Sequence, residues 1–252
     1  MADQTGIIAG RNPVREALER GERSIEKVYL AKGGGGRPLD VIRSLASAAG
    51  VPVQFVPPQK LNSLAPGVTH QGCVAIAAAL EYAVLEEMLH AIAATPDDVR
   101  DTKPVLVVLD EITDPHNFGA ILRSAVAVGA AGVIVPESNQ APLNTTTLKA
   151  SAGMAPRIPV ARVTNLSNAL LQLKERGYWV AGLDGEAEET VWTLDWDRPL
   201  ALVVGSEGKG LRPRVRETCD FLVSIPMRGP AESLNASVAT GIALFAAVRD
   251  RV

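Results

Sequence analysis

The sequence predicts a two-part α/β protein: a small mixed unit followed by a larger unit built on a parallel sheet. Three observations carry this. From residue 104 onward, short runs of Val, Leu, Ile and Ala alternate with helical patterns, as strands buried on both faces do. Before residue 80 the same alternation recurs on a smaller scale. Between the two, residues 81–103 turn acidic and contain a Thr95-Pro96 break, which reads as a connector.

In the first unit, residues 6–80, Asn12 is placed to cap a helix with Pro13 at its first position, running through Val14, Ala17 and Leu18. Residues 28–30 read as a strand and 33–36 as a glycine loop. Residues 39–49 repeat apolar positions at helical spacing, and 51–56 and 73–80 read as strands. The connector carries Glu81, Glu86, Glu87, Asp97, Asp98 and Asp101, with a helix at 85–94. In the second unit the expected strands are 105–109, 132–135, 179–183, 200–204 and 221–225. Helices are expected at 118–128, 165–176, 211–218 and 234–248, covering both faces of a parallel sheet.

Composition bounds the function. A chain of 252 residues with 47% hydrophobic and 21% charged content buries a sizeable core and is not disordered. Aromatics make up 4%, so a stacking platform for single strands is not evident. The formal net charge of −3 weighs against a nucleic-acid partner only on average, because the charge is uneven. Residues 149–176 carry Lys149, Arg157, Arg162, Lys174 and Arg176 against Glu175, whereas 184–197 carry six acids and no base. Cys73 and Cys219 lack metal-ligand spacing and sit among apolar neighbours, as buried thiols do. His70, His90 and His116 are scattered, so no zinc site is expected. There is no signal pattern, and the longest apolar run, near 125–135, is too short to span a bilayer. A soluble cytoplasmic protein is expected.

In open α/β sheets ligands bind beyond the carboxyl ends of the strands. Three such ends here are rich in Gly and small polar residues. The first runs from Leu109 to Ala125 and holds Asp114, Asn117 and Arg123. Asn117 and Arg123 are six apart and so share no ideal helical face; a place for Asn117 in the loop before the helix would let them converge. The second is Leu202-Val-Val-Gly-Ser-Glu-Gly-Lys-Gly-Leu211. It matches neither the dinucleotide GxGxxG nor the P-loop, and its Glu207 disfavours bare phosphate. The third is Ile225 to Gly241, where a Pro/Gly turn precedes Ser233, Asn235 and Ser237 at the start of an apolar helix. A helix cap and a ligand contact can coexist there.

Together these segments resemble the motif set of the SpoU/TrmH branch of the SPOUT RNA 2′-O-ribose methyltransferases. Asp114-Pro-His-Asn117-Phe-Gly119-Ala-Ile-Leu-Arg123-Ser matches the first motif and Val204-Gly205-Ser-Glu207-Gly208-Lys-Gly210 the second. Ile225-Pro-Met227 with Ser233-Leu-Asn235-Ala-Ser237 matches the third. Residues 8–18, with Thr69-His-Gln-Gly72, resemble the L30e-like RNA substrate-binding domain of one subgroup, the bacterial guanosine 2′-O-methyltransferases of 23S ribosomal RNA. The resemblance implies an L30e-like domain at 1–80, a linker at 81–103 and a trefoil-knotted SPOUT domain at 104–252. The knot would form around 202–211 and 225–241. It implies S-adenosylmethionine as cofactor, held by Val204, Gly205, Gly208, Ile225, Met227 and Leu234, and a homodimer formed through the catalytic domain.

For catalysis it implies Asn117, Arg123, Glu207, Ser233 and Asn235. A ribose hydroxyl needs a proton acceptor and an electropositive setting. A guanidinium stays protonated in proteins, so Arg123 is expected to stabilise the developing alkoxide or hold a phosphate. Asn117 and Asn235 are expected to orient the hydroxyl and Arg123. Glu207 is expected to steer Arg123 or accept from substrate, and Ser233 to contact phosphate or ribose. RNA phosphates need local cations, for which Arg11, Arg15, Lys149, Arg157 and Arg212 are the candidates, expected on one face away from the acidic runs. Two other readings stand beside this one. The first is a relative acting on transfer RNA or on an adenosine of ribosomal RNA for antibiotic resistance; the second is a non-catalytic RNA-binding protein with this fold.

Overall fold

The computed structural model describes residues 6–20, 25–33, 36–77, 81–230 and 233–251. Residues 34–35 of the expected glycine loop, 78–80 of the expected strand and 231–232 of the third segment lie outside the described residues. The chain divides into two units, Met1–Leu80 and Glu81–Val252.

The first unit runs β1 (Gly6–Ala9), α1 (Arg11–Arg20), β2 (Ile25–Ala31), α2 (Arg37–Ala48), β3 (Val53–Val56), α3 (Pro58–Leu64) and β4 (Cys73–Ala77). The sheet order is β1-β4-β2-β3, with only β2 and β3 parallel. Side chains alternate across it, as strand geometry requires. Val28 and Leu30 face a core with Val14, Leu39 and Ile42, while Ala31 and Val74 face Leu61 and Ala65 on the other side. α1 begins at Arg11 rather than after an Asn12 cap, because Gly10 takes φ 105 and turns the chain two residues earlier. Cys73 is buried, which pushes its thiol up to about 12 and removes thiolate chemistry near neutral pH.

The second unit runs α4 (Leu85–Ile92), α5 (Pro96–Thr102), β5 (Val105–Asp110), α6 (Pro115–Ala127), β6 (Gly132–Pro136), α7 (Thr145–Ala150), β7 (Val160–Val163), α8 (Leu166–Glu175), β8 (Trp179–Leu183), β9 (Leu200–Gly205), α9 (Pro213–Thr218), β10 (Phe221–Val223) and α10 (Ala236–Val248). All pairs in its sheet are parallel, in the order β10-β8-β9-β5-β6-β7. The central strands β5 and β9 are buried nearly throughout, which explains their unbroken aliphatic runs.

The expected connector, 81–103, is no linker here. Met88, Leu89, Ala93 and Val99 join the core formed by α8 and the sheet. Apart from Glu81, the acidic residues that suggested a tether are on the solvent side of two helices, α4 and α5. α5 starts with a capping box, in which Thr95 and Asp98 satisfy each other's backbone N–H. No helix among the described residues is long and apolar enough to cross a membrane.

Candidate active site

β5 and β9 lie side by side in register from Val105↔Leu200 to Asp110↔Gly205, so their outgoing loops leave the sheet together. Asp110, fully buried, ties them. Its Oδ1 lies 2.6 Å from Arg212 Nε, and its Oδ2 accepts from the Arg212 N–H at 2.8 Å. Arg212 also reaches Glu111, at 3.3 Å. The expected RNA contact at Arg212 is therefore committed to two carboxylates that anchor the loop.

Past β9, the backbone closes on itself. Ser206 and Gly210 exchange backbone hydrogen bonds at 3.1 and 3.0 Å. A Cβ on Gly205 would lie 2.2 Å from the Gly210 carbonyl carbon, so only glycine fits. The turn presents Glu207 outward, and three donors converge on its Oε1: Asn117 Nδ2 at 2.8 Å, Asn235 Nδ2 at 2.6 Å and the Ala236 N–H at 3.3 Å. Asn235 Nδ2 also donates to Asn117 Oδ1 at 2.9 Å. Asn235 caps α10 as well, its Oδ1 accepting from the N–H groups of Ser237 and Val238. Of the small polar residues expected at this helix start, Asn235 is the cap.

Arg123 stands apart from this cluster. Asn117 lies inside α6, because Asp114 caps the helix and Pro115 occupies its first turn. The condition for convergence with Arg123 therefore fails: six residues along a helix is about 240° of residual rotation and roughly 9 Å of rise. Arg123 is exposed on α6, and Glu207 is engaged by the two asparagines instead of steering it.

Two cavities share Ser206, Glu207 and Lys209 as a common wall. The first, of about 390 Å³, gathers Val204, Gly205, Gly208, Ile225, Met227 and Leu234, together with Ser233 at its exposed edge. Asp184 and Glu186, beyond the carboxyl end of β8, also line it. They belong to the acidic run expected to lie elsewhere on a solvated surface. Their place follows from the pairing of β8 with β9, which no local pattern reveals. Asp184 pairs with Arg216 at 2.6 Å. Burial raises its pKa, but the hydrogen bonds from Glu186 N–H and Arg216, with the Arg216 charge, bring it below the usual carboxylate range.

The second cavity, of about 430 Å³, is polar and includes Glu111, Thr113, Asp114, Asn117 and Asn139. Glu111 and Asn139 take φ 64 and 55 and hydrogen-bond one another at 3.1 Å, a local strain typical of functional sites. Sequence reasoning missed Asn139, although it follows a parallel strand, β6, and the strand-end rule applied there would have found it.

Of the remaining candidates, Arg11 is half-buried and Arg15 exposed, both on α1 of the first unit; Lys149 on α7 and Arg157 are exposed in the second. Among the described residues no group of three His, Cys, Asp or Glu is placed to hold a metal ion.

Comparison with known proteins matches this arrangement. The model of the SpoU rRNA Methylase family matches residues 104–245, and that of RNA 2′-O ribose methyltransferase substrate binding matches 7–83. The 23S rRNA (guanosine-2′-O-)-methyltransferase RlmB of Ralstonia nicotianae is 43% identical over 246 residues, 97% of this chain and 96% of its own. Among solved structures, the SpoU methyltransferase AviRb of Streptomyces viridochromogenes aligns with a TM-score of 0.72 at 27% identity, over 98% of this chain and 90% of that one. An AdoMet-bound rRNA methyltransferase of Sinorhizobium meliloti gives 0.73 at 26% identity, over 99% and 88%. The motif loops, the parallel sheet that gathers them and the full-length likeness agree: this chain belongs to the SpoU rRNA methylase family.

Proposed function

We propose that this protein transfers a methyl group from S-adenosylmethionine to the 2′-hydroxyl of a guanosine ribose in 23S ribosomal RNA. The observation that carries the reading is the Asn117–Glu207–Asn235 cluster, held at the wall between an apolar cavity and a polar one. The names of the relatives supply the RNA and the guanosine.

The first cavity fits the cofactor. Its aliphatic walls at Val204, Ile225 and Leu234 suit a flat base, and the carboxylates of Asp184 and Glu186 suit a cation. When bound, S-adenosylmethionine supplies a methyl on a positively charged sulfur, leaving a neutral thioether once the methyl has moved. The hydroxyl proton must be taken up by a group of the protein or by water. Within the cluster Glu207 is the carboxylate, the residue type that takes up a proton. Asn117 Oδ1 accepts from Asn235, and Asn235 Oδ1 accepts from the start of α10. Glu207 Oε1 already takes three donors, which leaves Oε2 to accept from the ribose hydroxyl.

Arg123 holds a phosphate of the RNA, and Ser233 hydrogen-bonds the ribose or phosphate. Arg11, Arg15, Lys149 and Arg157 contact further phosphates. The chain works in the cytoplasm as a homodimer through the catalytic domain, whose 202–211 and 225–241 segments form a trefoil knot. Support for the dimer comes from Val238 and Phe245, 50% and 57% exposed and seven apart along one side of α10.

The test is a map of 2′-O-methyl sites in ribosomal and transfer RNA from cells with and without the gene. One 2′-O-methylguanosine of 23S RNA is expected to vanish and to return with the wild-type gene but not with Arg123→Ala. A loss confined to transfer RNA overturns the choice of substrate. Turnover by Arg123→Ala close to wild type removes Arg123 from RNA binding.

A further inference from the structure

The first unit contains a cavity of about 300 Å³ between the opening turns of α1 and α2. Its floor is Pro38, Val41 and Ile42, and its rim is Arg11, Arg15 and Arg37. No carboxylate lines it. Val41 is 41% exposed, an aliphatic surface left uncovered beneath three guanidinium groups.

The rim is partly preset. Arg11 Nε donates to the Gln71 carbonyl at 2.9 Å, which fixes the guanidinium while leaving its terminal amines unengaged by that bond. Gln71 holds the left-handed φ of 50, a conformation that costs a non-glycine residue energy. Arg15 has a long, exposed pairing with Glu19, at 3.8 Å, which is worth little. On α2 the nearest carboxylate in sequence, Asp40, pairs with Arg43 at 3.5 Å. Among the described residues, Arg37 has no ion-pair partner.

We propose that this cavity binds one unstacked nucleotide of the substrate RNA, a nucleotide other than the one methylated. The proposal rests on reading the chain as an RNA-modifying enzyme. An apolar floor under arginines suits a nucleotide in two ways: the base lies flat on aliphatic and guanidinium surfaces, and the phosphate takes paired N–H donors. A bare phosphate makes no use of the floor. A duplex has no free base to insert, because proteins meet it across its grooves. A cavity of this size admits one splayed base from a loop or bulge. The arginines accordingly select a recognition element in the RNA, separate from the methyl-transfer chemistry.

The test uses the full-length protein, a ribosomal RNA hairpin carrying the target guanosine, and the variants Arg37→Ala and Val41→Asp. Each is expected to raise KM for the hairpin about tenfold. The dissociation constant for S-adenosylmethionine, measured calorimetrically without RNA, should stay within twofold, and the melting temperature should be retained. Arg37→Lys should recover part of the Arg37→Ala loss. For wild type, a short single-stranded oligonucleotide should compete with the hairpin better than a duplex of equal length or polyglutamate. Variants within twofold of wild type in KM overturn the pocket, as does equal competition by duplex. Displacement by polyglutamate but not by oligonucleotide reassigns the cavity to an acidic protein and also overturns it. If the wild-type enzyme methylates no RNA while folded and cofactor-bound, the parent reading fails instead of the pocket.

Discussion

The two cavities that meet at Glu207 are made of opposite materials. One is walled largely by backbone and aliphatic side chains, with Gly205 and Gly208 admitting close approach, Val204, Val223, Ile225 and Leu234 forming the sides, and Asp184 and Glu186 also lining it. The other is walled by carboxylates and amides in strained, cross-bonded conformations. Shape selects what enters the first; hydrogen bonding and charge select what enters the second. Substitutions on the two sides should therefore fail differently, the first in cofactor affinity and the second in turnover.

The largest effect is expected at the shared wall. Glu207→Ala removes the acceptor of three donors, two of them the side chains of Asn117 on α6 and Asn235 at the start of α10. We expect kcat to fall about 10²- to 10³-fold, the scale seen when one preorganised polar group is lost. Glu207→Gln sharpens the comparison. Its amide oxygen can still hold Asn117 and Asn235, but the second oxygen is gone. Turnover as low as in Glu207→Ala, with single-turnover rates measured at saturating cofactor and RNA, identifies the free oxygen as the proton acceptor. Turnover near wild type returns Glu207 to a purely positioning role.

Next comes the shape side. In Gly205→Ala the added methyl meets backbone at 2.2 and 2.5 Å, from the Gly210 carbon and the Leu211 nitrogen, and neither can rotate away. Stability should fall by about 1–3 kcal/mol, as overpacking does. Cofactor affinity should fall at least about tenfold, since roughly 1.4 kcal/mol of distortion suffices. Gly208→Ala is the control. It has open space but φ 79, so its cost is local strain of about 1–2 kcal/mol without collision. Equal cofactor affinities in the two variants, read by calorimetry, would show that steric closure of the turn is not what shapes this cavity.

This contrast also marks what was legible in the sequence. Residues whose role depends on their own segment read correctly: Asn235 at a helix start, and the aliphatic runs of β5 and β9. Asn117 and Arg123 did not, because their geometry turned on whether a helix begins before or after Asn117. Pro115 and the Asp114 cap start the helix three residues earlier than expected. The stretch 81–103 misled because its many acids outweighed the few apolar residues, Met88, Leu89, Ala93 and Val99, that dock it. Asp184 was invisible for a different reason. Strand order is a property of the whole sheet, and only the β8–β9 pairing carries an acidic loop to the rim of an apolar cavity.

Asp184 is accordingly the exception that limits the comparison, and it has the smallest expected effect. Its pKa is held low by hydrogen bonds from the Glu186 N–H and Arg216 and by the Arg216 charge, against the opposing effect of burial. A carboxylate with a lowered folded pKa stabilises the fold above its unfolded value of about 4, and loses that contribution as pH falls through the lower folded value. Arg216 is 46% exposed, so solvent screens the pair, and about 0.2–1 kcal/mol is expected from it at neutral pH. Asp184→Asn should therefore be slightly less stable than wild type in urea at pH 7, and the gap should close as both are taken below about pH 4. A gap that persists in acid means that Asp184 acts through packing and not through charge. If the same variant binds S-adenosylmethionine several-fold more weakly at pH 7 but binds the neutral thioether product unchanged, the shape-selecting cavity also reads charge, through the Asp184 carboxylate that lines it.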